Sequence, residues 1–410
     1  MDHGIGTNRN PQIGVVAVTG DSWHGIRTTR HHLLRNLARF FQVGWLEPSQ
    51  HWRRRVLVRH PLAKEQQGLE AGGVHIAGVE GVAKLQPLRW IPDFYRPERA
   101  RLAVRAKRYQ LAANALRTAG CETVLLHIWR PDYVDALDSR QFFDGVIYHI
   151  DDEYSFADTL VPMSVAERRL IEEADAVIVH SAGLVDRKGH INESTFVVPN
   201  GVDFEEYSRC YDPPPDLLSI PGPRIGYAGV IRSHLDIAML RQLAERRPDW
   251  SLTFVGPLGY LGGCESDISV ISRLPNVHLM GYRSPDELPA YQHHFDVCTM
   301  PYRLTAYTDC IYPLKLHEYL AGGKPVVGTP IRTLRDFSDV ISLASGVEEW
   351  ISAIEACLKK EANDSDRVSL RRRVAAEHDW IKLAGQTARI MESLVGPGSD
   401  RVDGFSQLRP

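Results

Sequence analysis

Apolar residues along this chain fall into short runs separated by stretches of helical spacing. The runs Ile13–Val18, Val43–Leu46, Thr123–Ile128, Val146–Ile150, Ala176–Val179 and Phe196–Val198 read as buried strands, and 27–41, 97–119 and 165–174 carry helical patterns between them. Such alternation predicts a parallel sheet with helices on both faces. Residues 204–223 interrupt the pattern. Tyr211-Asp212-Pro213-Pro214-Pro215 and Pro221-Gly222-Pro223 fit neither a helix interior nor a central strand, so a passage between domains is expected there. The alternation then restarts, with strands at Arg224–Ala228, Ser251–Val255, Val277–Met280, Val297–Met300 and Pro325–Val327. Helices are expected over 236–247, 285–294, 313–321 and 348–360, then one long helix over 367–394 and a loose tail from 396. The domain plan is therefore 1–203, a linker 204–223, 224–366, a returning helix 367–395 and the tail.

Length and composition fit this plan. A chain of 410 residues suggests two domains, and 43% hydrophobic with 24% charged residues excludes a disordered or fibrous protein. The net charge of −3 excludes a globally basic nucleic-acid binder. It conceals an asymmetry, because residues 1–150 hold 21 Lys/Arg against 13 Asp/Glu. The first half is thus a candidate surface for an anionic partner. The six cysteines form no CxxC pair, which argues against a zinc knuckle and for reduced thiols in a cytoplasmic protein. No run approaches a membrane span, and the first apolar run is too short for a signal core.

Ligands of open parallel sheets bind beyond the carboxyl ends of the strands. In the first half these ends are polar: Gly20, Asp21 and His24 after the first strand, His127 with Trp129 and Arg130, His149 before Asp151-Asp152-Glu153, and His180-Ser181. They suggest a polar cleft, with helix capping as the plainer alternative. In the second half the ends are glycine-rich or basic: Gly229 and Arg232, Gly256 and Gly259, Gly281 and Arg283. Glycines admit close backbone approach, and with nearby arginines they suggest a diphosphate site. No P-loop pattern is present, and no G-x-G-x-x-G follows the first strand.

The segment from Asp309 to Val327 is the most informative. Pro313 suits a helix start and Gly322-Gly323 its end. Lys315 and Glu318 lie three apart, on one face. The helix N-terminus with Lys315 makes an anion site, and a carboxylate at Glu318 matches the vicinal hydroxyls of a ribose. Together they describe a nucleoside diphosphate. The bland alternative is an i,i+3 salt bridge on an exposed helix.

Pro313-Leu314-Lys315-Leu316-His317-Glu318-Tyr319-Leu320-Ala321-Gly322-Gly323-Lys324-Pro325-Val326-Val327 resembles the donor-nucleotide motif of GT-B glycosyltransferases, near the large bacterial family 4 (glycosyl transferases group 1) and its surface-polysaccharide relatives. V-V-P-N-G-V-D at 197–203, I-G-Y-A-G at 225–229, R-P-D-W-S-L-T-F-V-G-P at 247–257, L-P-N-V-H-L-M-G-Y at 274–282 and F-D-V-C-T-M-P-Y at 295–302 extend the likeness. It is dense over 195–330 and thin before. The resemblance implies an α/β, GT-B fold: two Rossmann-like domains with parallel sheets facing across a cleft, and a last helix crossing back to the first. It implies that Glu318 holds the ribose, that Lys315, Arg232 and the backbone of Tyr312, Pro313 and Leu314 hold the diphosphate, and that Tyr282 and Arg283 lie at the nucleobase. Gly20 and Asp21 fall in the loop facing the diphosphate and transferred sugar. No bound metal or other cofactor is expected, since positive side chains and helix termini stabilise the leaving diphosphate.

The chain departs from the family pattern. Cys310 stands where a paired glutamate is usual, and the usual Arg…Lys pair is reduced to Arg232, followed by Ser233 and His234. An inverting relative would need a general base; Asp151 is the candidate, with His149 and Asp21 as further catalytic candidates. Asp151-Asp152-Glu153 also admits a rival reading as the metal-binding acidic motif of GT-A enzymes. The basic stretch 27–117 includes Trp52, Arg53, Arg54, Arg55 and Trp90, which suit an anionic membrane surface or a lipid-diphosphate acceptor. The expected activity is transfer of a sugar from a nucleotide sugar, UDP-linked before GDP-linked, to a glycan, lipid-linked or small-molecule acceptor in cell-surface polysaccharide or glycolipid synthesis. A secondary-metabolite glycosyltransferase, a nucleotide-sugar epimerase and a degenerate nucleotide-sugar binding module are the alternatives. The expected location is the cytoplasm, with peripheral binding to the inner face of the plasma membrane.

Overall fold

The apolar runs form strands where they lie. In the computed structural model, which describes residues 10, 12–25, 27–48, 69–71, 73–91, 96–155 and 162–396, the chain divides into two units. The first comprises Met1–His180, Leu184–Val198 and Ile381–Pro410, and the second Ser181–Gly183 and Pro199–Trp380. The first is built on β1 (Ile13–Val18), β2 (Gln42–Leu46), β3 (Leu69–Ala71), β4 (Val74–Val79), β5 (Val82–Pro87), β6 (Thr123–Ile128), β7 (Gly145–Ile150), β8 (Ala176–Val179) and β9 (Thr195–Val197). Their order in the sheet is β3-β4-β5-β2-β1-β6-β7-β8-β9. Pairing is parallel from β5 through β9, and β3–β4 and β4–β5 are antiparallel. Every residue of β1 and β7 is buried, as helix-covered parallel strands require.

The antiparallel edge is an addition to the sequence picture. β4 and β5 meet through a two-residue turn, Glu80-Gly81, with φ of 50° and 84°. Positive φ at both positions is the turn that matches strand twist. Glu-Gly carries this signal more weakly than Asn-Gly, and the edge strands are only partly buried. Helices Glu98–Thr118 and Val165–Glu173 form inside their expected ranges, and the first helix is trimmed to Thr29–Leu37.

The second unit holds β10 (Arg224–Ala228), β11 (Ser251–Val255), β12 (Val277–Gly281), β13 (Val297–Met300), β14 (Val326–Gly328) and β15 (Ser342–Leu343) in the order β12-β11-β10-β13-β14-β15. All its strand pairs are parallel. Its core includes Tyr227, Trp250, Phe295, Tyr319 and Trp350.

Residues 204–223, expected as a linker, lie within this second unit and contain the short helices Phe204–Ser208 and Pro215–Leu218; the chain passes between units at 198–199. The expected long C-terminal helix is two, Ser365–Glu377 and Trp380–Ser393. Between them the backbone bonds to Val202 rather than continuing the helical ladder: Val202 N–H donates to the His378 carbonyl at 3.0 Å, and Trp380 N–H to the Val202 carbonyl at 3.0 Å. The six cysteines form no disulfide. Among the described residues no helix is long and apolar enough to cross a membrane.

Candidate functional site

The second unit concentrates its unusual backbone at the carboxyl ends of β10 and β11. Gly229 and Gly256 have φ of 145° and 148°, which side-chain-bearing residues rarely adopt. A Cβ on Gly256 would collide with the Gly229 carbonyl, and one on Gly229 with the Lys315 amine. The two turns are thus stacked on each other and on Lys315. Beyond the sheet they keep pairing: Ile231 N–H donates to the Pro257 carbonyl, Gly259 N–H to that of Ile231, and Ser233 N–H to that of Tyr260.

Lys315 lies in the first turn of the helix Leu314–Ala321. Pro313 is the N-cap of that helix rather than its first residue, and its side chain offers no cap; Leu316 N–H turns back to the Pro313 carbonyl at 3.2 Å, which leaves the Leu314 and Lys315 amides for a ligand to meet. The Lys315 ammonium sits 5.1 Å from the Tyr227 ring centroid. Burial alone would lower its pKa; Tyr227, Tyr302 and Glu318 outweigh this and hold it charged. Glu318 accepts from Gln292 Nε2 at 3.2 Å and from the Tyr207 hydroxyl. Burial raises its pKa, and Lys315, Gln292 and Tyr207 limit the rise. The i,i+3 salt bridge is not formed among the described residues: Lys315 and Glu318 act on each other without direct contact, and the hydrogen-bond donors to Glu318 are neutral.

Arg232 is exposed, and its side chain lies against Gly259. Tyr282 is 60% exposed beside Gly281, the partner of Gly256 across an isolated bridge. The Arg283 side chain is committed elsewhere, to Asp216 at 2.5 Å, the Tyr291 hydroxyl at 2.6 Å and the Tyr282 carbonyl at 2.8 Å. The Tyr312 carbonyl accepts from Asn200 at 2.6 Å, and its hydroxyl meets His317 Nε2 at 2.9 Å. Cys310 is buried and its carbonyl accepts from the Ser181 hydroxyl at 2.5 Å. Tyr207 and Gln292, the partners of Glu318, were missed in sequence, because the fold alone brings them to it; Tyr227 and His234 were noted there without a role.

The first unit's rim is organised by Arg30, another missed residue. Its Nε and Nη2 grip Asp151 at 2.7 and 2.9 Å, Nη1 reaches Asp21 at 2.5 Å and the Thr19 carbonyl at 3.1 Å, and Nη2 also meets the Tyr154 hydroxyl at 2.9 Å. Burial would lower the Arg30 pKa, but Asp151, Tyr154 and Asp21 raise it on balance. Asp151 was expected as a general base. Both its oxygens are already bonded to Arg30, and one also accepts from the Tyr154 hydroxyl at 2.7 Å. Asp21 is the more exposed carboxylate, at 30% of its side chain against 7% for Asp151. The GT-A reading of 151–153 fares no better, since Glu153 is buried against Lys188 at 2.7 Å, and Lys188 also pairs with Glu167 at 2.5 Å.

His149 is not on the open rim. It is buried, stacked on Trp129 at 3.9 Å and 3.3 Å from His127 Nε2. Burial pushes its pKa well below the usual value and that of His127 down to about 3. Gly20 lines a small hollow of about 50 Å³ with Glu47, Arg105, Arg108, Tyr109 and Tyr133. Trp90 is 71% exposed with the Arg89 guanidinium 4.6 Å over its ring. Trp52, Arg53, Arg54 and Arg55 lie outside the described residues.

Residues 223–360 match the family model described as Glycosyl transferases group 1. These residues lie in the second unit, which is thus similar to this family's domain. A curated relative, "Putative teichuronic acid biosynthesis glycosyltransferase TuaH" of Bacillus subtilis (strain 168), is 34% identical over 233 residues, 54% of this chain and 57% of its own. The chain therefore spans little more than half the length of that relative. The starch synthase IV catalytic domain from Arabidopsis thaliana, bound to ADP and acarbose, is similar with a TM-score of 0.65 at 11% identity, over 94% of this chain and 99% of its own. An E. coli structure described as trehalose-6-phosphate bound with UDP-2-fluoro glucose gives 0.62 at 12%, over 93% and 99%. These likenesses show the fold: the chain is α/β with two predominantly parallel sheets, of GT-B type.

Proposed function

We propose that this chain transfers a sugar from a nucleoside-diphosphate sugar, UDP-linked, to a hydroxyl of a surface-polysaccharide or glycolipid intermediate. The observation that carries the reading is the pair Lys315 and Glu318. They share one helix face beside the Gly229 turn, both are half-buried, and neither is neutralised by the other. A cation held over a tyrosine ring at a helix N-terminus is built to meet an anion. In this reading the diphosphate lies on Lys315, Arg232 and the first helical amides, and the ribose hydroxyls donate to Glu318. Charge grows on the diphosphate as the sugar leaves, and these groups stabilise it without a metal or further cofactor. The curated relative's printed role in teichuronic acid biosynthesis supports a cell-surface glycan as the product class. The acceptor is assigned to the first unit, where the hollow beside Gly20 offers aromatic and charged walls.

The test is a thermal-shift and transfer screen over UDP-, GDP- and ADP-sugars. A ligand at 100 times its Kd raises stability by about 2.7 kcal/mol. UDP-sugars should shift the melting temperature, and Glu318→Ala should weaken them about a hundredfold, the worth of roughly two charge-assisted hydrogen bonds. Equal UDP affinity in Glu318→Ala would remove the ribose assignment. Sugar release to water without an acceptor would favour the epimerase alternative.

A further inference from the structure

His234 lies in the loop that leaves β10, two residues beyond Arg232. Its ring is half-buried between Tyr302 and Tyr307, at centroid distances of 5.6 and 6.2 Å. The loop is fixed on both sides. Ser233 N–H bonds to Tyr260, and the His234 carbonyl accepts from Arg303 N–H at 2.9 Å. Among the described residues neither ring nitrogen of His234 has a hydrogen-bond partner. The charged groups that face it are Lys315 from the helix Leu314–Ala321 and Arg232 from its own loop; Arg303, from the loop after β13, reaches the Ser233 carbonyl at 3.5 Å. Tyr302 and Tyr307 supply the titratable hydroxyls. No carboxylate is paired with Lys315 or Arg232 among the described residues.

We infer that His234 is a third ligand of the donor diphosphate and takes up a proton as the diphosphate binds. The inference rests on the proposed function and deepens it. Without ligand the imidazole has burial and two cations against its charged form, and its pKa lies down at about 4. A bound diphosphate reverses the local field: the cations that opposed protonation are neutralised, and an anion arrives within reach of an unpartnered ring nitrogen. Opposite charge at short range favours the charged form. The proton comes from solvent and no covalent bond changes. Lys315 is held charged, so the pH dependence of diphosphate affinity is assigned to His234.

The experiment is calorimetric titration with UDP at acid and neutral pH, each in two buffers of different ionisation enthalpy, with uridine as control. UDP's own phosphate also titrates, so the readout is the difference between the wild type and two variants, His234→Gln and His234→Phe. The second keeps the ring packing between the tyrosines. Relative to both variants the wild type should take up roughly half to one additional proton per UDP near pH 5.5, and its relative affinity should rise about three- to tenfold from pH 7.5 to 5.5. Uridine should show no such difference. The same proton linkage in all three proteins would reduce His234 to packing and overturn the inference, leaving the diphosphate site intact. Failure of UDP, GDP and ADP to bind the wild type would overturn the diphosphate reading itself, and this inference with it.

Discussion

Arg30 and Lys315 are both cations at the C-terminal rim of a parallel sheet, and they differ in what faces them. Arg30 is enclosed by two carboxylates, a tyrosine hydroxyl and a carbonyl, all within 3.1 Å. Lys315 faces the ring of Tyr227 and a glycine turn. The first unit repeats its pattern deeper down, where Lys188 is clasped by Glu153 and Glu167. The second repeats its own with Glu318, which is met by an amide and a phenol. Rim charges that neutralise one another hold loops in place. Rim charges steadied by neutral groups keep their field for a ligand. Polar residues after strands are therefore ambiguous until their partners are known.

The largest expected effect separates the two cations. Arg30→Met leaves Asp151 and Asp21 with no cation at a largely buried site, and removal of one partner of a buried pair costs about 3–5 kcal/mol. The loss should appear as earlier denaturant unfolding of the first unit. If Arg30→Met unfolds like wild type but abolishes transfer, Arg30 faces substrate and the contrast fails. Lys315→Met should do the reverse. Its melting temperature should stay near wild type, and kcat/KM for transfer should fall roughly 10²–10³-fold, the usual cost of deleting a group that stabilises a developing anion. Equal losses for UDP and uridine binding would contradict its phosphate role.

Next in size is acid sensitivity. His127 is wholly buried beside His149, and its pKa is pushed down to about 3 by burial. The unfolded chain binds a proton near pH 6.5 that the folded one refuses. Stability is thus complete above pH 6.5 and falls as pH drops toward 3, by about 2 kcal/mol at pH 5 for this residue. His127→Gln should flatten that slope, read as urea midpoint against pH. An unchanged slope would place the acid sensitivity elsewhere.

How much of this was legible in sequence follows from where information is local. Strands such as β1, β6, β8, β10, β11 and β13 coincide with their expected runs because burial on both faces keeps polar positions few. Lys315 and Glu318 were legible because helical spacing alone puts them on one face. Arg30 was not. It lies on a helix far in sequence from Asp151, and nothing in T-R-H-H marks it as the centre of a network. Asp151 was placed on the rim, yet its partners decide its role, and the chief of them, Arg30, comes from a distant helix. The edge hairpin was missed because Glu80 adopts a positive φ that its residue type does not announce.

The smallest effect tests the second unit's own logic. Tyr207, on the short helix Phe204–Ser208, donates to Glu318 without charging it. If neutral groups are there to orient the carboxylate for a ribose, Tyr207→Phe should cost only about 1 kcal/mol, near fivefold in UDP affinity, as one lost hydrogen bond. The pH dependence makes the test sharper. Burial raises the Glu318 pKa, and Tyr207 is one of the groups that restrain it. Removing that restraint moves the pKa further up, so protonated Glu318 becomes more populated as pH falls. A protonated carboxyl has lost acceptor capacity for the ribose hydroxyls. Relative to wild type, the variant should therefore lose more UDP affinity at pH 5.5 than at pH 8, measured by calorimetry with uridine in parallel. Uridine keeps the ribose and lacks the diphosphate, so it should show the same extra loss. If the deficit is the same at both pH values, Tyr207 serves only to pack the helix, and Glu318 is oriented by Gln292 and Lys315 alone.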